Sequence, residues 1–167
     1  MFGKVSKVKF ARILYQTIVS DTALLSKKIE ENDLLHGKMS LRNNFTYLSY
    51  GYHLHVYEDL LLYKYDPKTV IDVISLCIDE MAFHPTSNQA PERKKLLKRL
   101  YSQILENKYE ADSFRTFIIA MVYTLFEGQI ESLTAADDDS LKELFDCVLN
   151  HFGQLGQNSK VMQLKMN

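Results

Sequence analysis

The stretch DPKTVIDVISLCIDEM, residues 66–81, decides the fold class. Asp66 can accept a hydrogen bond from the first turn of a helix, and Pro67 suits the first helical position, where no N–H is needed. Val70, Val73, Ile74, Cys77, Ile78 and Met81 then recur at spacings of three and four, which gathers them on one face, while Asp72, Asp79 and Glu80 take the other. The helix is expected to end before His84-Pro85, because the residue before a proline disfavours helical backbone.

The same period continues on both sides of this stretch. Towards the N-terminus, helix two runs from Ser40, a plausible cap, to about Tyr63, with Phe45, Leu48, Tyr52, Val56, Leu60 and Tyr63 as its core face. Gly51 inside it costs about 1 kcal/mol relative to alanine, so it either lets a neighbouring helix approach closely or is simply tolerated. Helix one spans about Val5 to Asn32, its inner face marked by Ala11, Leu14, Tyr15, Ile18, Thr22, Leu25 and Ile29; a second, shorter helix capped by Asp21 is the alternative. Towards the C-terminus, helix four spans about Pro91 to Asn107, with Leu97, Leu100, Tyr101 and Ile104 inward. Helix five runs from a cap at Asp112 to Glu127, before Gly128, and helix six from near Thr134 to Gly153. Helix five has few polar positions and is expected to be the central one. No alternating strand pattern and no repeat is visible. The fold class is therefore all-α: a compact bundle of about six helices in a single domain over 1–153, followed by a frayed C-terminal tail, 154–167. In that tail Val161, Met162, Leu164 and Met166 can dock on the bundle or on a partner.

Composition agrees with this. In 167 residues, 46% hydrophobic and 25% charged, the balance is that of a globular chain rather than a disordered or membrane one. The longest apolar run, Phe117–Tyr123, falls far short of the ~20 residues that span a bilayer. A net charge of −1 gives no overall bias toward nucleic acid or membrane. Bases gather early (Lys4, Lys7, Lys9, Arg12) and acids late (Asp137, Asp138, Asp139, Glu143). The two cysteines, Cys77 and Cys147, fall on apolar helix faces and read as core residues, which suggests a reducing, cytoplasmic setting. Residues 1–20 lack the apolar core and cleavage site of a signal peptide.

Three constellations are candidates for function. Six of the ten tyrosines lie between Tyr47 and Tyr65, and Tyr47, Tyr50, Leu54, Tyr57 and Leu61 form a second stripe on helix two. Tyrosine pairs a large apolar body with a polar tip, which suits a partner-binding face; the plainer reading is that helix two is sandwiched and buries both stripes. The run Arg93, Lys94, Lys95, Lys98 and Arg99 offers charges to phosphates, although it lacks interleaved aromatics and a recognisable helix-turn-helix. His53, His55, Glu58, Asp59, Glu80 and His84 resemble a metal-ligand set only loosely. His53 and His55 diverge on a helix, and no Glu-x-x-His is present. The sequence thus assigns no metal, cofactor or catalytic residue, and it lacks nucleophile-elbow, zinc-protease and phosphate-loop motifs. It points to a non-enzymatic protein-interaction module that binds another protein or itself, such as an adaptor, an immunity-type protein or a regulator. A nucleic-acid-associated regulator using residues 93–99 ranks second and a metal-dependent helical enzyme third.

Overall fold

The computed structural model describes residues 4–32, 44–83, 89–125, 138–157 and 159–167. These form α1 (Lys7–Glu30), α2 (Asn44–Leu62), α3 (Pro67–Phe83), α4 (Ala90–Glu110), α5 (Phe114–Leu125), α6 (Asp138–Gly153) and a single turn, α7 (Lys160–Gln163). Two short strands, β1 (Lys4–Val5) and β2 (Lys165–Met166), join the two ends of the chain in a parallel pair, Lys4 opposite Lys165 and Val5 opposite Met166. The chain is all-α, and no described helix is long and apolar enough to cross a membrane.

Local chemistry sets the helix starts. Ser6 caps α1 by accepting from the Lys9 N–H at 3.3 Å, and Asp66 caps α3 by accepting from the Thr69 N–H at 3.0 Å. α5 is capped by Ser113 Oγ, 3.2 Å from the Thr116 N–H, one residue after the expected Asp112; two adjacent oxygen-bearing side chains compete for that role and Ser113 takes it. α1 runs unbroken for 24 residues, so Asp21 starts no second helix. The expected caps Ser40 and Thr134, and His84-Pro85, lie outside the described residues.

The helix at the centre is α2, not α5. Every residue from Gly51 to Tyr57 is buried, whichever side of the helix it occupies, and α2 packs against α1, α3, α4 and α5. α5 buries Phe117, Ile118, Met121 and Val122 but leaves Phe114 and Tyr123 exposed. Its apolar composition overstated its burial, because a short outer helix can carry large aromatics on its solvent side.

α2 divides the interior into two cores. Phe45, Leu48, Tyr52 and Val56 face the first, with Leu25 and Ile29 of α1, Ile104 of α4, and the inner faces of α5 and α6. Leu54, Tyr57 and Leu61 face the second, with Phe10, Leu14 and Ile18 of α1, the whole inner stripe of α3, and Val161 and Met162 of α7. Leu60 touches both cores; Tyr63, expected on the first face, projects past the end of α2 and is 88% exposed. Residues 159–167 are not frayed. The Lys64 ammonium donates to the Met162 carbonyl at 2.5 Å and the Tyr65 hydroxyl to that of Leu164 at 3.1 Å, while the Asn167 N–H donates to the Val5 carbonyl at 3.0 Å. Apolar side chains and backbone pairing act together there, which a four-residue helix could not achieve alone.

Candidate functional site

Five residues of α1, Ile13, Gln16, Thr17, Ser20 and Asp21, repeat at helical spacing along one flank beside the core stripe. Facing them is the turn that follows α6, Gln154, Leu155 and Gly156, continued by Ser159 and Lys160 at the start of α7; Tyr57 of α2 closes the floor. Together they enclose an open cleft of about 450 Å³. Gly156 shapes its far wall. The residue has φ of +85°, and a Cβ there would sit 2.7 Å from Leu60 Cδ1, so the turn can settle this closely against α2 only with glycine.

The polar centre of the cleft is Asp21. The Tyr57 hydroxyl donates to Asp21 Oδ2 at 2.8 Å and lies 3.5 Å from Ser159 Oγ. Burial raises the Asp21 pKa, and the tyrosine hydrogen bond offsets this only in part. Burial likewise pushes the Tyr57 phenol up. Lys160 lines the same cleft and is exposed at its rim, with no ion pair to Asp21 among the described residues. Two further hydroxyls are already oriented: Thr17 Oγ1 donates to the Ile13 carbonyl at 2.9 Å and Ser20 Oγ to that of Gln16 at 3.1 Å. Their lone pairs remain free to accept.

Two polar clusters sit deeper. His53 Nδ1 lies 2.7 Å from the Ser49 carbonyl, which can only accept, so that nitrogen carries the proton. Its bare Nε2 therefore accepts from His151 Nε2–H across 3.0 Å. Ser49 Oγ, 3.1 Å from Thr22 Oγ1, extends this chain from α1 through α2 to α6. On another side of α2, His55 Nε2 donates to the Tyr101 carbonyl at 2.8 Å and the imidazole stacks on the Tyr101 ring at 4.1 Å. Glu58 accepts from the Tyr101 hydroxyl at 2.6 Å. His55 Nδ1 is 3.4 Å from the same Glu58 oxygen without hydrogen-bonding geometry. Burial alone would raise Glu58, but the His55 ring, the Tyr101 hydroxyl and the Lys108 charge outweigh it and hold the carboxyl below its usual range.

The residues singled out from sequence fare differently. Leu54, Tyr57 and Leu61 are fully buried inside the chain, so these three members of the second stripe of α2 belong to a core face. Tyr47 and Tyr50 are half-buried against the second core and meet edge to face at 6.3 Å. α1 and α3 cover the buried part of the stripe. On α4, Lys95, Lys98 and Arg99 are exposed and Arg93 and Lys94 half-buried. Lys94 pairs with Asp79 of α3 at 2.5 Å, while Lys7 and Arg12 of α1 pair with Asp72 and Glu80, also of α3, at 2.7 and 3.2 Å. Carboxylates of α3 thus pair with one base of α4 and two of α1. The loose metal set is dispersed. His53 turns to His151, Asp59 to Lys108 and Glu80 to Arg12, leaving His55 with Glu58; no three such ligands gather among the described residues, and His84 lies outside them.

The cleft residues were missed from sequence. The single available signal was on α1, where polar residues at 16, 17, 20 and 21 adjoin the apolar stripe; the opposite wall belongs to a segment with no period of its own. Compared with protein-family models, curated proteins and solved structures, the chain finds no match.

Proposed function

We propose that this chain is a non-enzymatic protein-interaction module, and that a partner engages it through the cleft that α1 forms with residues 154–156, 159 and 160. The observation that carries this reading is Asp21. It is a half-buried carboxylate in an open cleft, and its sole side-chain hydrogen-bond donor among the described residues is a neutral phenol. Burying a charge with so little compensation is costly, and satisfying the Tyr57 hydroxyl alone would not require an ionisable group. The cleft also has the concave shape and the few convergent polar groups of a recognition site. Two free cysteines, one buried and one half-buried, support a reducing, cytoplasmic setting for the module.

The test is photo-crosslinking in the native cell from an artificial residue placed at Gln16 or at Gln154, with Lys95 on α4 as a control. Adducts are expected from the two cleft positions and not from the control, and Asp21→Asn should abolish them. An adduct of twice the chain's mass identifies self-association. Adducts from Lys95 alone, or cleft adducts indifferent to Asp21→Asn, refute the cleft as the binding site.

A further inference from the structure

We infer that the group recognised by this cleft is a primary ammonium, as on a lysine side chain; this rests on the cleft being the binding site. Three side chains on consecutive turns of α1 that line the cleft carry oxygens restricted to accepting. Thr17 Oγ1 and Ser20 Oγ have committed their protons to the carbonyls of Ile13 and Gln16, at 2.9 and 3.1 Å. Asp21 already receives the proton of Tyr57 at 2.8 Å and, as a carboxylate, retains further lone pairs. Hydroxyls bonded back to the helix in this way present acceptors outward, and a half-buried carboxylate at the centre supplies the charge.

The complement to such a wall is a compact cation with several N–H donors. An ammonium has three, arranged around one atom, on a flexible apolar stem. The apolar flanks of the cleft, Ile13, Leu155 and the Tyr57 ring, match that stem. A guanidinium presents its donors in a flat fork, which suits a carboxylate approached edge-on from solvent rather than one already bonded to a phenol. The chain's own ammonium at the rim, Lys160, stays outside ion-pair distance of Asp21, and no other described cation pairs with the carboxylate, which can therefore receive an incoming group.

The probes are Nα-acetyl-lysine methylamide, its Nε-acetyl derivative and 1,5-diaminopentane, titrated into the full-length, nitrogen-15-labelled chain and followed by amide chemical shifts. The lysine amide should shift Thr17, Ser20, Asp21, Tyr57 and Ser159, and the Nε-acetyl form should not. Asp21→Asn should weaken binding by about tenfold or more. Thr17→Val with Ser20→Ala should weaken it by about threefold without touching the carboxylate, which keeps the question open to measurement even if Asp21→Asn perturbs folding. Lys160→Gln should tighten it by about twofold, since it removes a like charge. A diamine that binds as well as the lysine amide assigns a free amine; preference for the lysine amide assigns a side chain. Equal binding of the Nε-acetyl form, or a loss with Lys160→Gln matching that with Asp21→Asn, overturns the ammonium assignment. Because the crosslinking does not depend on these probes, cleft adducts without ammonium binding would refute this inference alone, whereas adducts elsewhere would refute the site.

Discussion

Below a pH of about 6.5 a free imidazole takes up a proton, and the His53–His151 pair resists doing so. Burial, reinforced by the neighbouring ring, depresses His53; burial and the nearby Lys28 ammonium depress His151. The unfolded chain therefore binds protons first as the pH falls, so the stability these groups contribute is complete above about pH 6.5 and declines below it. Each histidine held neutral adds a slope of about 1.4 kcal/mol per pH unit. Urea midpoints should hold down to about pH 6.5 and fall steeply from there to about pH 5, and His151→Gln, which can still donate to His53 Nε2, should roughly halve that dependence. A midpoint that is flat across this range, or an unaltered slope in the variant, would contradict the arrangement. At this scale the sequence was legible where partners are close along the chain, as with Asp66 capping α3 and Pro67 beginning it. The capping shift from Asp112 to Ser113 shows the limit even there. His53 and His151 lie 98 residues apart, and no local pattern links them.

The elements were legible from periodicity, and their neighbours were not. The α3 stripe from Val70 to Met81 is buried as its spacing requires. On α2, periodicity identified both stripes and could not say which of them was covered, because a stripe of tyrosines and leucines looks the same facing solvent or a neighbouring helix. Gly51 illustrates what the surrounding helices demand. A Cβ at that position would collide with Ile104 Cδ1 of α4, so the glycine is there for close approach of the two helices. Gly51→Ala should therefore destabilise the chain by about 1–3 kcal/mol through overpacking, although alanine favours an isolated helix by about 1 kcal/mol. Ile104→Val in the same chain, by removing the colliding methyl, should restore most of the loss. Chemical denaturation of the two single variants and the double variant measures the coupling. A stabilising Gly51→Ala would show that α2 and α4 do not meet this closely.

Across the whole molecule, the bundle was legible and its closure by the 159–167 segment was not. That segment holds one helical turn and a two-residue strand, both too short for hydrophobic period to register, and what orders it is its docking on α2 and β1. Its contribution is large for its length, since fully burying Val161 and Met162 stabilises by roughly 1.5–3 kcal/mol each. A chain stopped after Asn158 should lose about 3–6 kcal/mol, a substantial share of the 5–15 kcal/mol typical of a domain. The urea midpoint reports this directly, with Val161→Ser expected to fall between the truncated and intact chains. An unchanged midpoint on truncation would mean that the segment does not seal the second core.

The parallel pairing of β1 with β2 also sets how the molecule bears load. The two strands run in the same direction, Lys4 to Val5 beside Lys165 to Met166. Tension that draws Lys4 and Met166 apart therefore pulls the strands along each other, so their hydrogen bonds are strained together rather than peeled open in succession. The Tyr65 hydroxyl holds β2 from its other side, accepting from the Met166 N–H and donating to the Leu164 carbonyl. Under pulling, this clasp is expected to bear force before any helix of the bundle does, and after its release the load passes to the buried Val161 and Met162, next to the wall of the cleft that carries Ser159 and Lys160.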